Sequence, residues 1–403
     1  MPRVLRDKRI VVGVTGGIAA YKVPELVRRL LQGGAVVDVV MTPAATDFVG
    51  PLTFQALTRR PVQVSTVGVW QGEQAGHVTL GAQADLMVVA PATADVLAKL
   101  AHGIADDAVT LTALACPAPL IVAPAMDHHM YRHPATQANL DLLRARGVTI
   151  VGPHHGPLAS GMIGEGRMAE PDELVGAIRQ VLGRRGPLRE YTVVVTAGPT
   201  REPVDPVRFL SNHSSGKMGY ALAEVARDRG AATTLVSGPT CLAPPYGVRR
   251  IDVETAAEMA QAVREAVADA DVLVMCAAVA DFRPRAPASE KIKKQTASLV
   301  LELEPTEDIL ASIQRPGLVK VGFAAETERL LEHAREKLER KGLDLLVLND
   351  ARRTMGADTA QVTLLRPGQA PDVLPELPKD EVAERIWDAI QLLLESRKDS
   401  ALG

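Results

Sequence analysis

The chain has 403 residues, 47% hydrophobic and 23% charged, with 45 basic against 48 acidic side chains and a net charge of −3. This composition excludes a disordered or fibrous chain and fits two or three globular domains. The balanced charge also lacks the clustered basic excess of a nucleic-acid binder. Apolar runs such as Val272 to Ala280 fall far short of the roughly 18 residues of a membrane helix, and Met1 to Arg9 is charged rather than signal-like, so a soluble cytoplasmic protein is expected. In chain order, Arg9–Val14 reads as a strand ending in Thr15-Gly16-Gly17, followed by a helix over Ala19–Leu31 that stops at Gly33-Gly34. Strands follow at Ala35–Met41, Ala84–Ala90, Leu120–Ala123 and Val148–Val151, with helices at Asp95–Ala101, Ala135–Ala145 and Asp172–Leu182. That rhythm predicts a doubly wound parallel α/β sheet.

Glycine, proline and arginine then cluster, and residues 184–190 read as a linker between a domain of residues 1–183 and one of residues 191–403. A second alternation runs through Tyr191–Thr196, Tyr220–Arg229, Ala232–Val236, Ala256–Ala268 and Val272–Ala277. It continues through Leu318–Phe323, Glu326–Arg340 and Leu343–Leu348, and a helix over Glu381–Glu395 closes the chain. Cys116, Cys241 and Cys276 are too scattered for a disulfide framework or a CxxC metal pair.

Ligands of open α/β sheets sit beyond the carboxyl ends of the strands. In the first half those ends carry Thr15-Gly16-Gly17-Ile18-Ala19, Thr42-Pro43, Ala90-Pro91-Ala92-Thr93 and Pro124-Ala125-Met126-Asp127. The first turn is not GxGxxG, so the dinucleotide fingerprint is absent. Alone it fits a ligand-free tight turn as well as a phosphate cradle. His77 alone reads as structural or merely exposed.

Taken together, Gly13–Lys22, Gly76-His77, Ala90–Asp95, Gly103–Asp107, Ala123–Met126 and Gly161–Met168 resemble the flavin-dependent cysteine decarboxylases, in order, across nearly all of residues 8–182. The resemblance implies a flavodoxin-like fold, bound FMN at Thr15, Gly16, Gly17, Ile18, Ala19, Thr42, Ala90 and Thr93, an active site shared between the subunits of a trimer, and His77 as catalytic acid/base. It also implies oxidation of an N-acylcysteine thiol to a thioaldehyde, which provides the electron sink that loss of carbon dioxide requires. Two catalytic positions depart from the pattern. Asp127 stands where the family has Asn, and an ionised Asp would repel a substrate carboxylate unless protonated or compensated by His128, His129 or Arg132. Ser160 stands where the family has Cys, and its hydroxyl is a far weaker acid than a thiol.

In the second half, Ser211–Gly219 opens a helix and looks like a P-loop, but Ser211 and Met218 break GxxxxGK[ST]. It could be a helix cap by Ser214 or Ser215, or the same groups could hold a phosphate. Ser289–Lys294 fits a solvated charged turn, and Lys337 and Lys341 share a helical face. With Thr196–Thr200, Asp205–Arg208, Ala277–Phe282 and Gly322–Thr327, these segments resemble the phosphopantothenate–cysteine ligases over residues 191 to about 395. The whole chain thus resembles the bifunctional bacterial enzymes of coenzyme A biosynthesis. The resemblance implies CTP as co-substrate, Mg²⁺, an acyl-cytidylate contacted by Asn212, charge support from Lys291, and nucleotide contacts from Asp281, Asp308, Phe323, Lys337 and Lys341. Trimeric decarboxylase units joined through ligase dimers into a dodecamer are implied as well. Two other readings stay open: a working ligase whose flavin half stops at the aminoenethiol because of Asp127 and Ser160, and a regulatory binding protein.

Overall fold

The computed structural model of the chain divides into two compact units, Met1–Leu182 and Gly183–Gly403. The structure describes residues 3–66, 76–294, 299–326, 330–350 and 357–402. In the first unit, strands β1 (Arg9–Val14), β2 (Val36–Met41), β3 (Val62–Gln63), β4 (Leu86–Ala92), β5 (Leu120–Pro124) and β6 (Thr149–Ile150) form one sheet in the order β3-β2-β1-β4-β5-β6. All its pairings are parallel. Helices cover both faces of such a sheet, which is why β1 and β4 read as unbroken apolar runs and are buried almost throughout. A hairpin of β7 (His154–Pro157) and β8 (Ile163–Arg167) follows.

The helix expected over Ala19–Leu31 is divided. A 3₁₀ turn spans Ile18–Lys22 and the α-helix runs Val23–Gln32. Pro24 explains the division: proline has no N–H to give an α-helix interior but fits its first turn. Strand β4 also starts two residues later than the apolar run suggests, because the Asp85 carboxylate accepts the Arg9 N–H at 2.8 Å and Lys8 Nζ at 3.0 Å. Helices Pro51–Thr58, Gly76–Gln83, Ala108–Ala115 and His128–Arg132 escaped the periodicity. Helix Ala108–Ala115 is set by a capping box between Asp107 and Thr110 rather than by an apolar stripe.

The second unit repeats the design. Its strands are β9 (Thr192–Ala197), β12 (Ala232–Ser237), β13 (Arg249–Asp252), β14 (Val272–Met275), β17 (Val319–Glu326), β18 (Leu345–Asp350), β20 (Val362–Leu365) and β21 (Asp372–Val373), in the order β13-β12-β9-β14-β17-β18-β20-β21. Only the β18–β20 and β20–β21 pairings are antiparallel. Short antiparallel pairs join β10 (Arg201–Pro203) to β11 (Phe209–Ser211), β15 (Phe282–Pro284) to β16 (Leu303–Pro305), and β19 (Thr359–Ala360) to β22 (Leu377–Pro378). The closing helix, Lys379–Leu402, packs on helix Lys217–Asp228. There Trp387 is fully buried and donates Nε1–H to the Leu222 carbonyl at 2.9 Å. Of the segment 184–190, read as a linker from its composition, Leu188 is fully buried in this second core and its N–H donates to the Arg229 carbonyl. Helix Glu326–Arg340 is observed as Leu330–Arg340, and Thr327 lies outside the described residues.

Candidate functional sites

In both sheets the strand order reverses beside the first strand, at β1/β4 and at β9/β14. That reversal opens a crevice at the carboxyl ends. At the first crevice, Thr15 Oγ1 donates to the Pro91 carbonyl at 2.7 Å and accepts the Thr93 N–H at 3.3 Å, which ties the turn after β1 to the turn after β4. Gly16 is required there, since a Cβ would lie 2.5 Å from Ala44 Cβ. Ile18 and Ala19 open their 3₁₀ turn, so their N–H groups have no acceptor within it. Thr42, at the end of β2, is buried, and its hydroxyl has no hydrogen-bond partner among the described residues. Thr93 caps helix Ala94–His102 by accepting the Val96 N–H, and Ala90 is fully buried within β4. His77 is half-buried in the first turn of helix Gly76–Gln83. That helix leads into a parallel strand, so its N-terminus lies on the carboxyl side of the sheet.

The β7–β8 hairpin is fastened to the loop after β5. The Met126 N–H donates to the Gly166 carbonyl at 3.0 Å, the Glu165 N–H donates to His128 Nδ1 at 3.1 Å, and Arg132 pairs with Glu165 at 2.8 Å. Gly166 is indispensable to this fit, because its φ is +150° and a Cβ would sit 2.1 Å from the Met126 oxygen. Asp127 caps helix His128–Arg132, its Oδ1 accepting the His129 N–H at 3.0 Å. Its Oδ2 accepts the Ser160 hydroxyl at 2.7 Å. The Ser160 hydroxyl, then the His129 N–H, holds the Asp127 carboxyl below the usual range, which favours the ionised form rather than the protonated one. Arg132, a candidate counter-charge for Asp127, is engaged with Glu165 instead.

The second crevice contains a cavity of about 450 Å³, a size that suits a small-molecule ligand. Asn212, Asp281, Asp308, Phe323, Lys337 and Lys341 all line it. Its floor is built by threonines: Thr196 Oγ1 accepts the Cys276 and Ala277 N–H groups at 3.1 and 3.0 Å, and Thr200 Oγ1 accepts that of Ala280 at 3.0 Å. Asn212 Nδ2 donates to the Ala278 carbonyl at 2.9 Å. The helix cap expected from Ser214 or Ser215 is instead Gly216, at φ +76° and with no side-chain cap. Lys217, Met218 and Gly219 therefore open the helix with N–H groups available to an anion at the cavity wall. Gly219 allows this close packing, since a Cβ would meet Ala197 Cβ at 2.5 Å.

Lys341 Nζ lies 2.8 Å from Asp308 Oδ2, and Lys337 Nζ donates to the Phe323 carbonyl at 2.9 Å. Burial alone would raise the Asp308 carboxyl, but the Lys341 ammonium and the Ala311 N–H outweigh it and hold it below its ordinary value. Lys291 is exposed and is not among the residues lining the cavity. Sequence reasoning missed Lys217, Lys379 and Cys276 as lining residues. Burial pushes the Cys276 thiol up to about 12, so it stays protonated. Desolvation, followed by the charge of Lys217, lowers Lys379. Only Lys217 had a sequence signal, its place in a Gly-Lys helix start.

These sites define a two-part α/β protein with one ligand crevice per unit. A model of flavoproteins matches residues 1–183, and a model of the C-terminal domain of DNA/pantothenate metabolism flavoproteins matches residues 188–393. The chain is 45% identical over 402 residues to the coenzyme A biosynthesis bifunctional protein CoaBC of Vibrio vulnificus strain YJ016, covering 97% of this chain and 99% of that one. It is 49% identical to the CoaBC of Escherichia coli strain K12 over 354 residues, 86% of this chain and 87% of the other. A crystal structure of the C-terminal domain of a CoaBC protein is 42% identical, covers 52% of this chain and 99% of its own, and superposes with a TM-score of 0.46. The chain belongs to the family of bifunctional coenzyme A biosynthesis proteins, and it is an enzyme.

Proposed function

We propose that the second unit joins 4'-phosphopantothenate to L-cysteine at the expense of CTP, and that the first unit decarboxylates the resulting N-acylcysteine to 4'-phosphopantetheine with bound FMN. The observation that carries the reading is the presence of both crevices, each built from the matched motifs, in one chain. In the ligase the substrate carboxylate attacks the α-phosphate of CTP, a P–O bond forms, and pyrophosphate leaves with the electrons of the broken Pα–O bond. The cysteine amine then displaces CMP to form the amide. Lys337, Lys341 and the open N–H groups at Lys217–Gly219 stabilise the anionic oxygens of this sequence. Asn212 contacts the acyl-cytidylate, Asp281, Asp308 and Phe323 contact the nucleotide, and Lys291 supports the second step. Mg²⁺ accompanies CTP; nucleotide-bound Mg²⁺ keeps most of its waters and needs only one or two carboxylates.

In the first unit, the residues at the β1/β4 crevice fit a flavin phosphate. The turn after β1 offers the amides of Ile18 and Ala19, the Gly17 N–H being given to the Thr15 carbonyl at 2.9 Å, and the Thr42 hydroxyl is a buried donor awaiting an acceptor. Bound FMN supplies reversible two-electron redox chemistry. His77 holds or moves the proton of the substrate thiol. The units assemble as decarboxylase trimers and ligase dimers, together a dodecamer, in the cytoplasm.

Thr42→Val separates cofactor binding from folding. A buried hydroxyl without a partner costs about 1–3 kcal/mol, and a made hydrogen bond returns about 0.5–1.5 kcal/mol. The variant is therefore expected to raise the melting temperature of the flavin-free chain and to weaken flavin retention by about threefold to tenfold. Calorimetry and the absorbance of the washed protein check the two halves of this expectation.

The function itself is tested by mass spectrometry of the product formed from phosphopantothenate, cysteine, CTP and Mg²⁺. Phosphopantetheine is the expected result. Accumulated phosphopantothenoylcysteine would refute the decarboxylase, a product two hydrogens short of phosphopantetheine would refute its completion, and absence of CTP-dependent pyrophosphate would refute the ligase.

A further inference from the structure

Positions 127 and 160 lie 33 residues apart, and each departs from the pattern the chain otherwise follows. In the structure they touch: the Ser160 hydroxyl donates to Asp127 Oδ2 at 2.7 Å. Asp127 Oδ1 is already engaged by the His129 N–H. A serine hydroxyl has one hydrogen to donate, and here it is donated to Asp127, so Ser160 keeps only acceptor capacity for any other neighbour. Ser160 stands in the turn between β7 and β8, where the Gly161 N–H donates to the Leu158 carbonyl at 2.9 Å and the Leu158 N–H to that of Met162 at 2.8 Å. The contact therefore fixes the hairpin turn onto the loop after β5.

We propose that Asp127 is the positioning residue for Ser160: it accepts the Ser160 hydroxyl hydrogen bond, locks the β7–β8 turn beside the end of β5, and presents Ser160 to the substrate as a hydrogen-bond acceptor, so that the two positions can be exchanged only together. The chemistry of the single exchanges supports this coupling. In Asp127→Asn, Oδ1 stays with the His129 N–H, and an NH₂ group, itself a donor, faces Ser160. The serine proton must then turn away, and the polarity it offers is reversed. In Ser160→Cys, a weak S–H donor replaces the hydroxyl, and the adjacent carboxylate disfavours the thiolate. With both exchanges present, the amide NH₂ donates to sulfur and Oδ1 still caps the helix, so the set is matched again.

The proposal rests on the decarboxylase reading, and two independent measurements test it. The first uses the full FMN-loaded chain supplied with phosphopantothenoylcysteine. Asp127→Asn and Ser160→Cys are each expected to lower kcat for carbon dioxide release at least tenfold with KM changed less than threefold. The double variant is expected to return to within threefold of the parent. Losses that simply multiply in the double variant would overturn the proposal. The second is hydrogen exchange of the full chain without substrate. Asp127→Ala and Ser160→Ala are expected to speed exchange over residues 156–164 equally, and the double variant no further. Unchanged exchange in either single variant would overturn the lock. If the parent releases no carbon dioxide, the decarboxylase reading fails, while the exchange measurement still decides the pair.

Discussion

Replacing Asp205 by asparagine is expected to lower CTP-dependent ligation by about a hundredfold, the scale on which small misplacements of reacting groups act, while decarboxylation of supplied phosphopantothenoylcysteine stays within about twofold. Asp205 lies in the second unit, outside the residues that line its cavity, and its side chain is buried. It accepts the N–H groups of Val207 and Arg208 at 2.9 Å each, the Arg208 guanidinium at 3.0 Å, and the Ile292 N–H at 3.1 Å. Arg208 in turn donates to the Ile292 carbonyl at 2.9 Å. Asp205 and Arg208 thus clip the backbone beside Lys291, whose ammonium serves the second step of ligation in the function proposed above. An asparagine must turn an NH₂ group towards one of these donors, which breaks the clip without changing size. Arg208, with the backbone N–H groups, holds the Asp205 carboxyl well below its ordinary range. Its contribution is complete above the ordinary carboxylate value of about 4 and disappears only as pH falls through the lower native value, so an acid limb of ligation near neutral pH has another origin. The check is steady-state release of CMP with separate kcat and KM for CTP; a fall confined to KM would mean that Asp205 does not place Lys291.

Trp387→Ala is expected to destabilise the second unit by about 3–5 kcal/mol, the usual cost of deleting a buried tryptophan. A domain is stable by only about 5–15 kcal/mol, so much of that margin goes. Trp387 is fully buried in the core that includes Leu222, Val225, Ile386 and Ile390, and its Nε1–H reaches the Leu222 carbonyl across two helices. Trp387→Phe keeps most of the contact and loses the hydrogen bond, so a smaller loss of about 1–2 kcal/mol is expected. Denaturant unfolding of the full chain, followed by both ligase activity and flavin absorbance, should show ligation lost at lower denaturant with the flavin signal unmoved. Coincident loss of both signals would mean that the two units unfold as one.

The amino-acid sequence by itself determined the α/β alternation, the two crevices and most of the residues around them. Those signals are local: an apolar run marks a buried strand, a Gly-rich turn marks its carboxyl end, and a helix follows within a few residues. The tight turns at Gly16 and Gly219 belong to the same class, because a Cβ at either would collide with neighbouring backbone or alanine. Tertiary structure alone decided the rest. Asp127 meets Ser160 across 33 residues, Asp205 meets Ile292 across 87, and Lys379 joins Lys217 in the ligase cavity from the last helix of the chain. Each rests on a few hydrogen bonds or charges brought together by folding, and a single hydrogen bond contributes about 1 kcal/mol without imposing any periodicity on the chain. The two halves of the sequence name the chemistry, and the long-range contacts decide which side chains are held in place to perform it.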